Sequence, residues 1–398
     1  MVARAWSRYR LPLLFYGWMT GLLLIVQHIS NRILREDPYR IRVGNGLRYY
    51  VDGWSQFDGP QYQRIAEHGY FYTYGELSNI VWFPVYPVLL RWTERLIGDY
   101  LLAGILVAFL GGAWAVCAYW SWLTERGMDG TRRVLAFAAV AFYPYGWYLY
   151  GVVHSDALFL ALLVSAFLLV ERRHLVAAGV VAAFATATRP TGMALIPAII
   201  VFGFMRDGVF TVPEEPTGLV KRFNVPIRFD RTKIRAATFG PALSAVGLGS
   251  WMAYLWIKFG DPIAFITNQR VYHPGGMPLF KPAFIYNWTH FTDDPRYCLT
   301  TLGQAIVLAF VFWSVPAVCR RFGFAYGLFV AVLAAIPTVS TEDFMGTGRY
   351  LMAAFPVWAL FGERLAGRSP RVQRTVVGIA FCFVVFMAFG FSRSWYLT

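Results

Sequence analysis

The residues able to do chemistry in this sequence fall in a few short stretches. Asp58 stands in an aromatic-rich segment that runs from Trp54 to Tyr70 and carries Tyr62, Arg64, Glu67 and His68. A carboxylate there can act as general base on a hydroxyl. The same residue type also suits a helix N-cap ahead of Pro60, with Gly69 as the stop, so a short helix is expected from about 59 to 68. His154 and Asp156 flank Ser155. A catalytic triad is a matter of geometry and not of adjacency, so this trio reads as a binder of polar substrate groups or as a turn between helices. Arg189 and Arg349 are candidate phosphate clamps, because a guanidinium matches phosphate oxygens in pairs. The competing reading is a structural ion pair with Asp156, Glu342 or Asp343. The candidate substrate contacts are therefore Tyr62, Arg64, His68, Tyr86, His154, Asp156, Arg189, Glu342 and Arg349. His68, His273 and His290 fit no metal-binding spacing, and no metal or cofactor is expected.

The elements that must position these residues are apolar. Of 398 residues 57% are hydrophobic and only 15% charged, and mean hydropathy is +0.47. A soluble domain would be about a quarter charged. Residues 11–30, 100–122, 236–257 and 299–319 hold no Asp, Glu, Lys or Arg, and each is about the 20 residues that span hydrocarbon as a helix. Further uncharged runs are 134–153, 157–170, 175–188, 193–205, 322–339, 350–362 and 376–391, for about eleven crossings. The stretch 81–97 contains Arg91, Glu94 and Arg95. It reads as an interfacial or re-entrant amphipathic helix and not as a crossing.

Basic residues alternate between the connections. With the N-terminus inside, 21 of the 36 Lys and Arg fall on inside segments, and eight of the remainder lie in the long stretch 31–98. That asymmetry sets a cytoplasmic N-terminus and an outer C-terminus. The first span reads as a retained anchor. The net charge of +14 then reflects topology and anionic lipid headgroups, and no nucleic acid is expected as a partner. Four cysteines offer no disulfide framework and no zinc pattern.

The outside connections are 31–98, 154–156, 189–192, 258–298 and 340–349. Several crossings reach membrane length only if they include 154–156, 189–191 or Arg349. Asp156, Arg189 and Arg349 are therefore expected at membrane depth on the outer side, facing protein or a wet cavity. The inside stretch 207–235 is basic and contains Pro, and reads as a poorly ordered loop. The sequence has no P-loop, no dinucleotide fingerprint and no spaced Asp-x-Asp pair.

Five short motifs carry a resemblance. Phe57-Asp58-Gly59-Pro60-Gln61-Tyr62 with Ile65-Ala66 and Gly69-Tyr70 resembles the Trp-Asp-Ala…Ile-Ala…Gly-Tyr motif of the phosphatidylinositol-glycan class V family. Phe83-Pro84-Val85-Tyr86-Pro87 is similar to its Phe-Pro-x-Tyr-Pro element, and Ser155-Asp156 sits where that family has Ser followed by an acid. Thr188-Arg189-Pro190-Thr191-Gly192 resembles its Arg turn, and Gly348-Arg349-Tyr350 with Phe355-Pro356 resembles its C-terminal block. The departures are Phe57 for the usual Trp, Gly59-Pro60 after the Asp, and Pro190-Thr191 in the Arg turn.

The resemblance implies an all-α polytopic membrane protein of GT-C type fold, one domain over 1–398, with a large first outer loop at 31–98 carrying the catalytic Asp58. It implies an inverting mannosyltransferase that moves a sugar from a polyprenyl-phosphate donor to a lipid-linked or envelope glycan acceptor at the outer face of a cell membrane, or at the endoplasmic reticulum membrane in a eukaryote. A GT-C transferase for another sugar, or a transporter or lipid flippase, are the alternative readings.

Overall fold

The computed structural model describes residues 2–33, 46–272 and 279–395. His273 and part of the 31–98 and 258–298 connections lie outside the described residues. In chain order the helices are α1 (Val2–Ile33), α2 (Leu47–Val51), α3 (Asp58–His68), α4 (Val85–Ile97), α5 (Tyr100–Glu125), α6 (Gly130–Ala141), α7 (Asp156–Glu171), α8 (Leu175–Thr186), α9 (Leu195–Arg206) and α10 (Gly218–Phe223). They continue with α11 (Ser244–Phe259), α12 (Ala264–Thr267), α13 (Gln269–Tyr272), α14 (Pro282–Thr289), α15 (Pro295–Phe322), α16 (Phe324–Ser340), α17 (Thr347–Leu351), α18 (Phe355–Ala366) and α19 (Pro370–Ser392). Two two-residue strands, β1 (Phe210–Thr211) and β2 (Arg228–Phe229), pair antiparallel with Phe210 opposite Phe229.

Four described helices, α1, α5, α15 and α19, are long and apolar enough to cross a membrane. Helix α8, the stretch Pro190–Arg206 and α16 are shorter apolar helices. The protein is a multi-pass membrane protein.

The local chemistry explains where helices stop. Gly98 takes a left-handed conformation at the end of α4, and Asp99 then caps α5 by accepting from Leu101 N at 2.8 Å and Leu102 N at 3.0 Å. Asp294 caps α15 in the same way at Tyr297 N, 3.1 Å, with Pro295 in the first turn.

The span expected over 134–153 is helical only to Ala141; the chain beyond it turns through a 3-10 segment at Gly146–Leu149. Pro144 is the cause, since it lacks an N–H and disfavours helical backbone at Tyr143. The run 350–362 is likewise divided, with α17 ending at Leu351 and α18 starting next to Pro356. The loop 207–235, expected to lack order, carries the β1–β2 hairpin and α10. Asp207 ties its two ends by accepting from Arg235 at 2.6 Å and from the Thr238 hydroxyl at 2.5 Å.

By contacts the chain divides into two compact units. Unit 1 holds residues 1–70, 84–161 and 361–397; unit 2 holds 71–83 and 162–360. In unit 1, α1 packs on α5 and α19, α3 on α4, and α4 on α5. Helix α4 is two-faced: Tyr86, Pro87 and Leu90 are buried, while Val88, Leu89, Trp92 and Leu96 are exposed. Arg91 on α4 donates to the carbonyls of Ala66 and Ile65 (3.2 Å for the latter) and so holds the last turn of α3. In unit 2, α15 packs on α16, α16 on α9, and α8 on α11. Its core includes stacked Phe167 and Tyr326, whose hydroxyl donates to Glu171 at 2.9 Å.

Candidate active site

In unit 1 the site grows from the turn before α3. Phe57, and not Asp58, holds the N-cap position, with φ 53° and ψ −103°. A non-glycine residue at positive φ is uncommon and costs about 1–3 kcal/mol. Asp58 is thus the first helical residue of α3, and the capping role open to it in the sequence is not the one it takes. Gly59 follows for a steric reason. A Cβ there would lie 2.9 Å from Ser55 Oγ and 3.3 Å from the Val153 carbonyl. Trp54 pins the same strand of chain, its carbonyl accepting from Val153 N at 2.9 Å. The start of α3 is therefore pressed against residues 153–155, and His154 Nε2 comes to 3.8 Å from Asp58 Oδ2. The His154 side chain is 1% exposed and that of Asp58 24%. A buried imidazole stands beside a partly exposed carboxylate.

Tyr62 is one turn along α3 on the same face. Its hydroxyl lies 2.8 Å from Ser155 Oγ, and its ring meets Tyr86 edge-on at 4.8 Å. Tyr86 is buried and donates to the Gly104 carbonyl at 2.9 Å. Burial pushes its phenol well above the usual range, and Tyr62 and Asp156 add to the effect. It therefore remains a fixed donor that shapes the floor beneath Tyr62. Tyr148 at 5.0 Å and Phe391 at 5.8 Å complete the aromatic wall around His154. Ser155 and Asp156 are buried at the head of α7.

Arg64 and His68 lie on the exposed side of α3, where His68 Nε2 is 3.5 Å from its neighbour Glu67. His290 is exposed and stacks on Tyr286. Among the described residues no three His, Cys, Asp or Glu side chains gather as metal ligands.

Unit 2 holds the arginines. Arg189 precedes a 3-10 turn begun by Pro190, and is buried. Arg349 lies within α17 and is half-buried. Their guanidinium carbons lie 5.4 and 5.7 Å from the centre of one ring, that of Tyr350. Glu342 lies half-buried in the turn before α17. Two threonines beside the arginines were not singled out from sequence. Thr191 is 3% exposed and Thr347 is fully buried. Among the described residues neither hydroxyl oxygen has a hydrogen-bond partner. A buried hydroxyl left unmatched costs about 1–3 kcal/mol, and such groups call for an explanation. The sequence signal for them was only their place beside each Arg.

No protein-family model matches the sequence, and no curated protein matches it. Solved structures do. The crystal structure of ArnT from Cupriavidus metallidurans bound to undecaprenyl phosphate aligns with a TM-score of 0.51 at 15% identity, over 91% of this chain and 63% of that one. The archaeal oligosaccharyltransferase AglB from Archaeoglobus fulgidus, in complex with an inhibitory peptide and a dolichol-phosphate, aligns with a TM-score of 0.45 at 12% identity, over 98% of this chain and 56% of that one. The chain thus spans less than two thirds of the length of either protein. Its fold is all-α, polytopic and of the GT-C type.

Proposed function

We propose that this protein is a membrane glycosyltransferase, a mannosyltransferase, that uses a polyprenyl-phosphate sugar and a lipid-linked or envelope glycan acceptor. The observation that carries the reading is the placement of a half-open carboxylate, Asp58, against buried His154 at 3.8 Å in a chain of GT-C type fold. In this reading Asp58 takes the proton of an acceptor hydroxyl. The oxygen attacks the anomeric carbon from the face opposite the phosphate, the bond from that carbon to the phosphate oxygen breaks, and the electron pair leaves with the lipid phosphate. The sugar configuration inverts.

In this reading Arg189, Arg349 or both would hold the charge of the lipid phosphate, a kind of stabilisation that is often the largest catalytic contribution. The buried hydroxyls of Thr191 and Thr347 support that role, since a phosphate oxygen is an acceptor that either could serve. Undecaprenyl phosphate is what ArnT binds, and a phosphate of that class is an anion that two neighbouring arginines could receive. Tyr62 binds substrate hydroxyls beside Asp58, with Asp156 and Ser155 behind it. The choice of mannose follows the phosphatidylinositol-glycan class V resemblance of the five motifs.

The test is mass spectrometry of lipid-linked glycans from cells with and without the gene. Loss of one hexose from a defined species supports the reading and names the acceptor; an unchanged glycan profile contradicts it.

A further inference from the structure

Only four of the 36 basic residues are lysines. One of them, Lys281, is 3% exposed and sits at the N-cap of α14 in a left-handed conformation, φ 49°. Its ammonium donates to the Thr341 carbonyl and to the Pro337 carbonyl at 3.2 Å, and it lies 3.4 Å from the Thr341 hydroxyl. These acceptors are at the C-terminal end of α16, where carbonyls lack helical partners and the helix dipole is negative. The ammonium also lies 5.3 Å from the centre of the Phe344 ring. Phe284 of α14 meets that ring edge-on at 5.2 Å.

What Lys281 grips is a short turn in which Phe344, a non-glycine residue, takes the left-handed φ of 71°, followed by Gly346 at φ 80°. Asp343 folds the turn by accepting from Met345 N at 2.9 Å, and its other oxygen accepts from the Tyr297 hydroxyl of α15. Gln304, further along α15, accepts from Gly348 N at 2.9 Å and donates to Met345 Sδ at 3.3 Å. The next residue is Arg349. The left-handed residues alone do not fix this path, and the side chains of α14 and α15 do.

We propose that Lys281 is a positioning residue: it latches the 341–346 turn to the start of α14 and so holds Arg349 and Thr347 where they receive a phosphate anion. This rests on the phosphate role proposed above. The latch acts through geometry and not through contact with the anion. Facing the ammonium are the carboxylate of Asp343, the carbonyls of Pro337 and Thr341, the Thr341 hydroxyl and the Phe344 ring, with the Tyr297 phenol one hydrogen bond beyond.

The test uses the full chain in lipid nanodiscs, with Lys281→Met, Tyr297→Phe and Arg349→Ala. Two quantities are read: amide hydrogen exchange across 341–349, and affinity for undecaprenyl phosphate. The latch predicts faster exchange confined to 341–349 in Lys281→Met and in Tyr297→Phe, which is a milder change should Lys281→Met misfold. It also predicts affinity lowered roughly 3- to 30-fold in both. Unchanged exchange overturns the latch whatever the lipid does. Faster exchange with undiminished affinity, where Arg349→Ala does weaken binding, overturns the positioning role and leaves the phosphate reading standing. If Arg349→Ala binds as tightly as the unaltered chain, the phosphate reading falls, and with it Lys281 as a positioning residue; the exchange data then report the turn alone.

Discussion

His154 Nε2 stands 3.8 Å from Asp58 Oδ2, with the imidazole sealed from solvent and the carboxylate partly exposed. Nothing in the primary structure sets these residues together, since 95 positions separate them. The contact arises because Gly59 lets the start of α3 approach the Val153 carbonyl, and because Trp54 bonds Val153.

His154→Phe puts a phenyl ring in the place of the imidazole that packs on Tyr148 and Phe391, and removes the nitrogens. We expect it to fold and to lower kcat on the order of 10²-fold with KM little changed, the size of effect that a displaced catalytic group produces. Steady-state kinetics of the purified variant check this.

Gly59→Ala places a methyl 2.9 Å from Ser55 Oγ and 3.3 Å from a backbone carbonyl that cannot move freely. Overpacking of this kind costs about 1–3 kcal/mol. The variant should melt earlier in detergent and lose transfer activity together, as Asp58 is pushed away from His154.

Thr347→Val separates a ligand-binding hydroxyl from a structural one. It is close in shape and deletes a buried oxygen that has no hydrogen-bond partner among the described residues. The unliganded protein should become more stable by about 1–3 kcal/mol, while affinity for undecaprenyl phosphate falls. Thermal unfolding with and without the lipid measures both signs. A loss of stability in the unliganded chain contradicts the assignment.

Lys281 gives a pH dependence with a definite sign. Burial pulls its ammonium down from 10.5 to about 8, against the attraction of Asp343. The folded chain sheds this proton near pH 8 and the unfolded chain near 10.5, so between those values the unfolded state holds more protons. Stability therefore gains a rising contribution from about pH 8 to 10.5, and below pH 8 the buried charge is a constant penalty. Lys281→Met removes that rise. Melting curves in detergent across this range are the measurement.

The helical membrane class was legible from uncharged runs of span length, because hydrocarbon demands them. So were the helix over 59–68 with its Gly69 stop, and the amphipathic helix within 81–97, which begins only at Val85, since caps and periodicity are local signals. The break at 142–155 was missed because hydropathy is blind to what Pro144 does to the backbone. Asp58 and His154 were each visible as candidates, and their contact was not, since it depends on packing between α3 and the chain at 153–155. Thr347 and Lys281 were hidden for the same reason: a hydroxyl becomes unmatched, and a lysine becomes a clamp, only once the chain around them is folded.

Whether Asp58 is the base of a polyprenyl-phosphate sugar transfer is decided by one comparison. Purified full-length chain and its Asp58→Asn variant, equal in melting temperature, are given polyprenyl-phosphate mannose and a membrane lipid extract, and hexose-bearing products are followed by mass spectrometry. With Asp58 as the base, the unaltered chain gives a product and the variant a rate lower by about 10²–10⁴. Near-equal rates from the two proteins would contradict that role.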